Sequence, residues 1–122
     1  MEEYKIELTA RRLKTEELST VDDRLRAAAV RAAKRAYAPY SQYKVGAAVL
    51  LDNGTVVEGN NQENVAYPSG LCAERVALFY AGASCPGIPV AAMAVVAVTE
   101  DGVIRGTVSP CGACRQVLLE TE

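Results

Sequence analysis

The chain has 122 residues, half of them hydrophobic, which is enough for one domain with a buried core and too few for two. Thirteen basic and fifteen acidic residues give a net charge of −2, so we expect a small or uncharged partner rather than nucleic acid or an anionic membrane. The amino-terminal segment has no apolar core of signal-peptide length, and no stretch reaches the roughly 18 apolar residues of a membrane span, which predicts a cytoplasmic protein.

The first half of the chain predicts a strand, a helix and a hairpin. "YKIEL", residues 4–8, alternates polar and apolar side chains as a short edge strand does. Thr20 and Asp23 stand at the spacing of a helix capping box. The apolar residues that follow at helical intervals, up to the break at Pro39, are Leu25, Ala28, Ala29, Ala32 and Ala36. "YKVGAAVLL" and "GTVVEGNN" flank "DNG", residues 52–54, which favours the positive φ angles of a tight antiparallel hairpin.

The second half predicts two more helices with a strand between them. "YPSGLCAERVALFY", residues 67–80, runs from a turn into the second helix. Its predicted core face is Val76, Phe79, Tyr80 and Ala83. "VAAMAVVAV", residues 90–98, is typical of a strand buried on both sides, and "EDG" turns the chain after it.

The third helix is predicted over residues 109–120. Ser109 is the candidate N-cap and Pro110 occupies the first helical position. The alternation of helices and strands along the chain predicts a single α/β domain, residues 1–122, with helices packed on a mixed sheet.

The four cysteines are unlike a disulfide framework, because the cytosol keeps thiols reduced. Cys111 and Cys114 form a C-x-x-C pair at a helix start, where the helix dipole and free N–H groups stabilise thiolates. Such a pair suits a metal and equally a redox disulfide. Cys72 lies at a second predicted helix start, and three thiolates favour a zinc site with one open position, as catalytic sites have. Cys85 stands outside any paired spacing and is predicted to be a bystander.

Glu74 follows Cys72 by two residues, a spacing that separates side chains along a helix flank. At the very end of a helix, however, Cys72 can ligate a metal above the first turn while the Glu74 carboxylate reaches the water bound to that metal. The Glu74 carboxylate then exchanges protons with a water on the metal as general acid and base. The simpler alternative is a first-turn carboxylate favoured only by the helix dipole. Three thiolates around Zn²⁺ carry a net negative charge, and Arg75 is the candidate to offset it.

Four linked motifs, "CAER", "PCGACRQ", "NQENVAYPSG" and "AYAPYSQYKVGAAV", resemble the small zinc-dependent cytidine deaminases of pyrimidine salvage. The resemblance runs from about Ala36 to Glu120. It implies the three-layer α/β/α sandwich of that family, with residues 1–19 as an amino-terminal extension and the family's carboxyl-terminal portion absent. It also implies hydrolytic deamination of cytidine and 2′-deoxycytidine to uridine and 2′-deoxyuridine, with one Zn²⁺ per chain and a homotetramer.

The resemblance implies a role for each site residue. Cys72, Cys111 and Cys114 are the implied zinc ligands, and Glu74 is the implied proton shuttle.

The remaining implied roles concern the substrate. Asn61 and Glu63 hold the ribose hydroxyls, Ala73 offers its backbone to the pyrimidine, and Ser109 offers its carbonyl to the amino group. Tyr43 stands where the family usually has a phenylalanine that stacks on the base.

Several alternatives stay open at this point. A deaminase of a cytosine-containing antibiotic nucleoside such as blasticidin would share the motifs. A non-catalytic zinc-stabilised binding module would close the metal site with Cys85 or a carboxylate. An inactive zinc-binding fragment of the family is a further alternative. A dithiol redox protein would use Cys111 and Cys114 without zinc. Without the family's last portion, the strand over residues 90–98 is also expected to have an exposed edge.

Overall fold

The computed structural model describes residues 2–5, 7, 9–103 and 110–121. Three α-helices and four strands form its framework, with short 3₁₀ turns at Thr15–Glu17 and Tyr67–Ser69. In chain order they are α1 (Thr20–Lys34), β1 (Lys44–Leu51), β2 (Val56–Asn60), α2 (Ala73–Ser84), β3 (Val90–Thr99), β4 (Gly102–Val103) and α3 (Gly112–Thr121). Among these described helices, none combines the length and apolarity needed to cross a bilayer.

The first helix begins one residue earlier than its predicted cap. Ser19 is extended, and its side-chain oxygen accepts a hydrogen bond of 3.1 Å from the Asp22 N–H, so the predicted capping pair of Thr20 and Asp23 was wrong. The predicted core positions are confirmed, since Leu25, Ala28, Ala29 and Ala32 are buried. Ala36 lies beyond the end of α1.

The predicted amino-terminal strand is not found at the residues that the structure describes. Tyr4, Lys5 and Glu7 are exposed and outside any strand, while residues 6 and 8 lie outside the described ranges.

The hairpin prediction is confirmed by the pairing of β1 with β2. The two strands are antiparallel, and Gly54 in the turn has a φ of 87°. The sheet order is β2-β1-β3-β4, and every pairing between these strands is antiparallel. The mixed character predicted for the sheet is therefore not found among the described strands. The chain crosses from β2 through α2 to β3, and β1 lies between those two parallel strands, so each neighbour runs in the opposite direction.

The three-layer α/β/α arrangement is confirmed, because the two faces of the sheet carry separate cores. On one face α1 packs against Ala48, Val96 and Val98. On the other face α2 packs against alternate residues of β1, beginning with Val45 and Ala47. Burial of β3 on both sides is confirmed only over residues 96–98, because the first half of the strand is partly exposed.

The predicted core face of α2 was wrong. The side chains that pack on the sheet are Ala73, Ala77, Leu78 and Ala81, whereas Phe79 and Tyr80 are 52% and 62% exposed. The reason is the short distance between helix and sheet at Gly59. A Cβ on Gly59 would lie 2.4 Å from the Ala77 backbone nitrogen. Only small side chains fit on a helix held so close to the strand, so the larger apolar residues lie outside.

Candidate metal centre

Two helix starts bring the three predicted ligands together. Cys72 is the N-cap residue of α2, and its carbonyl accepts the first helical hydrogen bond from Val76 at 3.1 Å. Cys111 occupies the same position before α3, because its carbonyl accepts from the Arg115 N–H at 2.9 Å. Cys114 lies in the first turn of α3. The helix therefore begins at Gly112 rather than at the predicted Pro110.

Ser109, the residue predicted to cap this helix and to contact substrate, lies outside the described residues. The capping role falls instead to a cysteine. The Cys111 sulfur accepts the Cys114 N–H at 3.5 Å, in the manner of a side-chain N-cap.

The sulfur spacing fits a zinc ion. The Sγ atoms of Cys72 and Cys111 are 3.5 Å apart, those of Cys111 and Cys114 are 3.4 Å apart, and all three lie within 4.8 Å of one another. Tetrahedral zinc with Zn–S bonds of 2.3 Å separates its sulfurs by about 3.8 Å. Among the described residues, no other Cys, Asp or Glu joins this ligand group, and the chain has no histidine. The donor set is thus that of a three-ligand site with a fourth position for water.

The three thiols differ in burial, and the two of α3 also differ in acidity. The Cys114 N–H lowers the pKa of the exposed Cys111 thiol to about 7. Burial, and then the neighbouring Glu74 carboxylate, raise the pKa of Cys114. A divalent ion would reverse the second effect, because a coordinated thiol loses its proton. The pKa of the Cys111 thiol is thus lowered and that of Cys114 is raised, and a bound divalent cation would favour the thiolate form of both.

Arg75 contributes positive charge at the same place. Its Nη2 donates to the Cys72 sulfur at 3.7 Å, and this hydrogen bond is the main cause that raises the pKa of the guanidinium. The Arg75 Nε is buried and has no hydrogen-bond partner in the part of the chain that the structure describes. A guanidinium beside thiolates draws charge from the sulfur and lowers the net negative charge of the site.

Glu74 is the buried carboxylate of the site, with only 4% of its surface exposed. It is the second residue of α2, and its carboxylate lies beside Cys114 of the other helix. A charged group is rarely buried to this degree unless it has a partner or a function. Two residues this far apart along a helix flank would point in different directions. At the start of α2, however, Cys72 and Glu74 lie beside the same sulfur cluster.

Asn61 directly follows β2, and Gln62, between Asn61 and Glu63, forms isolated bridges with Tyr37 and Leu71. The Asn61 side-chain oxygen accepts from the Val45 N–H at 2.8 Å, and its NH₂ group donates to the Tyr43 carbonyl at 2.9 Å. Each amide atom keeps capacity for one further hydrogen bond. Tyr43 is 42% exposed, so its ring remains accessible to a ligand.

The same segment connects this loop with the metal centre. Gln62 and Leu71 exchange two backbone hydrogen bonds of 3.0 and 2.9 Å, and Leu71 immediately precedes Cys72. A Cβ on Gly70 would lie 3.0 Å from the Gln62 carbonyl, so the chain approaches closely here. Ala73, the predicted backbone contact for the pyrimidine, is the first residue of α2, where the N–H has no partner within the helix.

Cys85 caps the other end of α2. A helix of this length places it about 20 Å from Cys72. Cys85 therefore cannot close the metal site. This excludes one of the two groups that the non-catalytic zinc module could use as a fourth ligand.

Ser41 is the residue that sequence reasoning missed. Its hydroxyl donates to the Glu63 carboxylate and accepts from the Tyr43 N–H at 3.1 Å. The second contact is a local turn pattern that a serine two residues before an aromatic could have indicated. The first joins residues 22 positions apart, and only the tertiary structure shows it.

Comparisons with known proteins agree with this geometry. Residues 19–122 match the family model described as the cytidine and deoxycytidylate deaminase zinc-binding region. The chain is 48% identical over 99 residues to a cytidine deaminase of Sporosarcina psychrophila, covering 80% of this chain and 68% of that protein. It is 48% identical over 92 residues to one of Halalkalibacterium halodurans, covering 75% of this chain and 65% of that protein.

A solved structure supports the same assignment. The crystal structure of cytidine deaminase from Burkholderia pseudomallei has a TM-score of 0.72 and 45% identity, and the match covers 85% of this chain and 77% of that one. Because the family model matches most of the chain and these relatives are nearly half identical to it, the chain belongs to the cytidine and deoxycytidylate deaminase zinc-binding family.

Proposed function

We propose that this protein hydrolyses the exocyclic amine of cytidine and 2′-deoxycytidine, releasing uridine or 2′-deoxyuridine and ammonia. The observation that carries the proposal is the convergence of three thiols from two helix starts beside the buried Glu74 carboxylate. A redox dithiol does not require a third cysteine or a buried carboxylate. Family membership and the names of the relatives support the same activity.

Cys72, Cys111 and Cys114 would hold one zinc ion per chain. When bound, zinc supplies Lewis-acid activation of a water molecule for attack on C4 of the pyrimidine. Arg75 keeps its positive charge beside the Cys72 sulfur and so limits the negative charge of the ligand set.

Glu74 acts as general acid and base. Its carboxylate accepts a proton from the attacking water and delivers it to N3 of the base. It then accepts the remaining hydroxyl proton and delivers it to the departing amine, so the carboxylate ends the cycle as it began. Burial favours this role, because a carboxylate away from bulk water exchanges protons with the groups that it faces.

The nucleoside is held by residues on the loops around the metal centre. Asn61 and Glu63 offer their remaining hydrogen-bonding capacity to the sugar hydroxyls, and Tyr43 offers its ring to the base. The Ala73 N–H at the start of α2 contacts the pyrimidine, and the Ser109 carbonyl accepts from the amino group.

The test combines a cytidine assay with two carboxylate variants. Glu74→Gln should keep zinc and fold but lose at least about 100-fold in kcat, because the proton shuttle is gone. Glu120→Gln, an exposed carboxylate at the end of α3, is the matched control and should keep full activity. Near-normal turnover by Glu74→Gln would leave this carboxylate with only a helix-capping role. Absence of both zinc and turnover in the unaltered protein would contradict the proposed function itself.

We also propose that the protein acts as a homo-oligomer, a tetramer by family resemblance, in cytoplasmic pyrimidine salvage. Phe79 and Tyr80 present exposed apolar surface on the outer face of α2, which supports association of copies. The free thiols of the metal centre need a reducing compartment, which supports the cytoplasm.

A further inference from the structure

The turn between α1 and β1 has an unfavourable backbone conformation. Gln42 has a φ of 57°, a left-handed conformation that is unfavourable for a residue with a side chain. Its N–H donates to the Ala38 carbonyl at 2.9 Å, which closes the turn. Tyr43 follows directly, so the placement of its ring depends on how firmly this turn is held.

The turn is held from outside by the Glu63 carboxylate. One carboxylate oxygen accepts the N–H groups of Tyr40 and Ser41 at 3.0 and 3.1 Å, and the other accepts the Ser41 hydroxyl. The bond from that hydroxyl is the main cause that lowers the pKa of Glu63. Three of the four lone pairs of the carboxylate are therefore used by the turn, and one remains for a ligand.

Ser41 connects the two groups that face the nucleoside. Its single hydroxyl proton goes to Glu63, and the same oxygen accepts the Tyr43 N–H. The hydroxyl therefore has no donor left for the substrate. The proton of this hydroxyl therefore acts on the substrate through the Glu63 carboxylate, and its oxygen acts through the backbone that carries the Tyr43 ring.

We propose that Ser41 is a positioning residue for nucleoside binding. Its hydroxyl orients the Glu63 carboxylate, so that one free lone pair faces the sugar, and it fixes the backbone that carries Tyr43. The proposal rests on the proposed function, in which Glu63 contacts the sugar. A carboxylate already held by three donors loses little freedom when a sugar hydroxyl binds, which is the advantage of preorganisation.

The first experiment measures KM and kcat of Ser41→Ala with cytidine. Loss of one charge-assisted hydrogen bond should raise KM roughly 10-fold. The value of kcat should stay within about twofold, because Ser41 contacts neither the metal centre nor the reacting atoms. Ser41→Thr keeps the hydroxyl at an exposed position and should restore KM to within about threefold. Ser84→Ala removes a hydroxyl at the far end of α2 and is the control.

The second experiment asks whether the effect concerns the sugar. The unaltered protein should prefer cytidine to 2′,3′-dideoxycytidine, and Ser41→Ala should reduce this preference, because its damage lies at the sugar hydroxyl contact. In parallel, hydrogen exchange should show that the Tyr40 and Tyr43 amides lose protection in Ser41→Ala but keep it in Ser84→Ala.

The outcomes distinguish a failure of the positioning role of Ser41 from a failure of the proposed deaminase function. An unaltered protein that deaminates cytidine, with an unchanged KM in Ser41→Ala or a fall in kcat alone, overturns the positioning role and leaves the proposed function standing. Equal damage with cytidine and the dideoxy analogue overturns it as well. An unaltered protein that deaminates no cytosine nucleoside overturns the proposed function, and the positioning role falls with it.

Discussion

At the scale of single residues, position decides what a cysteine does. Cys72 and Cys85 cap opposite ends of the same helix, α2, and have different surroundings. Cys72 faces the sulfur of Cys111 and the guanidinium of Arg75, whereas Cys85 packs against the apolar core beneath the sheet. The two thiols are chemically identical in the unfolded chain and differ only through these neighbours.

The zinc content of two cysteine variants tests whether Cys72, and not Cys85, is a metal ligand. Cys72→Ala should lower zinc from about one ion per chain to near zero after dialysis, because two thiols hold zinc far more weakly than three. Cys85→Ala is the matched control and should keep about one ion per chain. Elemental analysis of the purified proteins measures both. Full zinc occupancy in Cys72→Ala would show that this thiol is not a ligand.

At the scale of elements, the metal centre depends on how closely α2 approaches the sheet. Gly59 of β2 leaves room for the backbone of Ala77, and a Cβ there would also lie 2.9 Å from the Ala73 carbonyl. Since Cys72 and Glu74 belong to the first turn of this helix, the same close contact sets their position relative to α3. Small residues on the inner face of α2 thus serve the site as well as the core.

Two glycine substitutions test this packing. Gly59→Ala should lower the free energy of unfolding by about 3 kcal/mol, because the new methyl group meets backbone that cannot move aside without displacing α2. Gly82 lies in α2 and has open space around it, so Gly82→Ala should raise the free energy of unfolding by about 0.5–1 kcal/mol. Urea unfolding of the zinc-loaded proteins measures both values. A Gly59→Ala protein as stable as the unaltered one would mean that helix and strand are not in this close contact.

At the scale of the whole molecule, the edge of the sheet at β3 and the outer face of α2 are the surfaces that bear on assembly. Among the described residues, the edge of β3 away from β1 pairs with β4 only at Val98 and Thr99, and the expected open edge stays a prediction. The outer face of α2 exposes Phe79 and Tyr80. In the proposed oligomer, further copies of the chain would bury these surfaces.

Light scattering at micromolar concentration tests the assembly. The mass should be a multiple of the 13.0 kDa chain. Phe79→Glu should shift it toward one chain, because a carboxylate in an apolar contact between copies would be buried without a partner. Tyr4→Ser, which changes an exposed aromatic of the amino-terminal segment, is the control and should keep the mass of the unaltered protein. A fully active 13.0 kDa monomer would contradict the proposed oligomer.

Local patterns were sufficient for some of these features. The hairpin around residues 52–54, the existence of all three helices and the placement of Cys72 and Cys111 at helix starts follow from turn residues, periodicity and spacing, which act within a few positions of the chain. The exact caps were less predictable, because Ser19 and Cys111 compete with neighbours that offer similar groups.

Local patterns in the chain were enough to predict three helices and a hairpin, and to place three cysteines, a carboxylate and an arginine beside helix starts. The folded structure sets which face of α2 is buried, because that depends on the room left by Gly59 on another element. It also decided that Glu63 holds the turn at Ser41, since a hydrogen bond between residues 22 positions apart exists only after the chain has closed that loop. Hydrogen bonding and periodicity within an element are local, whereas packing distances and partners between elements arise only when the chain is folded.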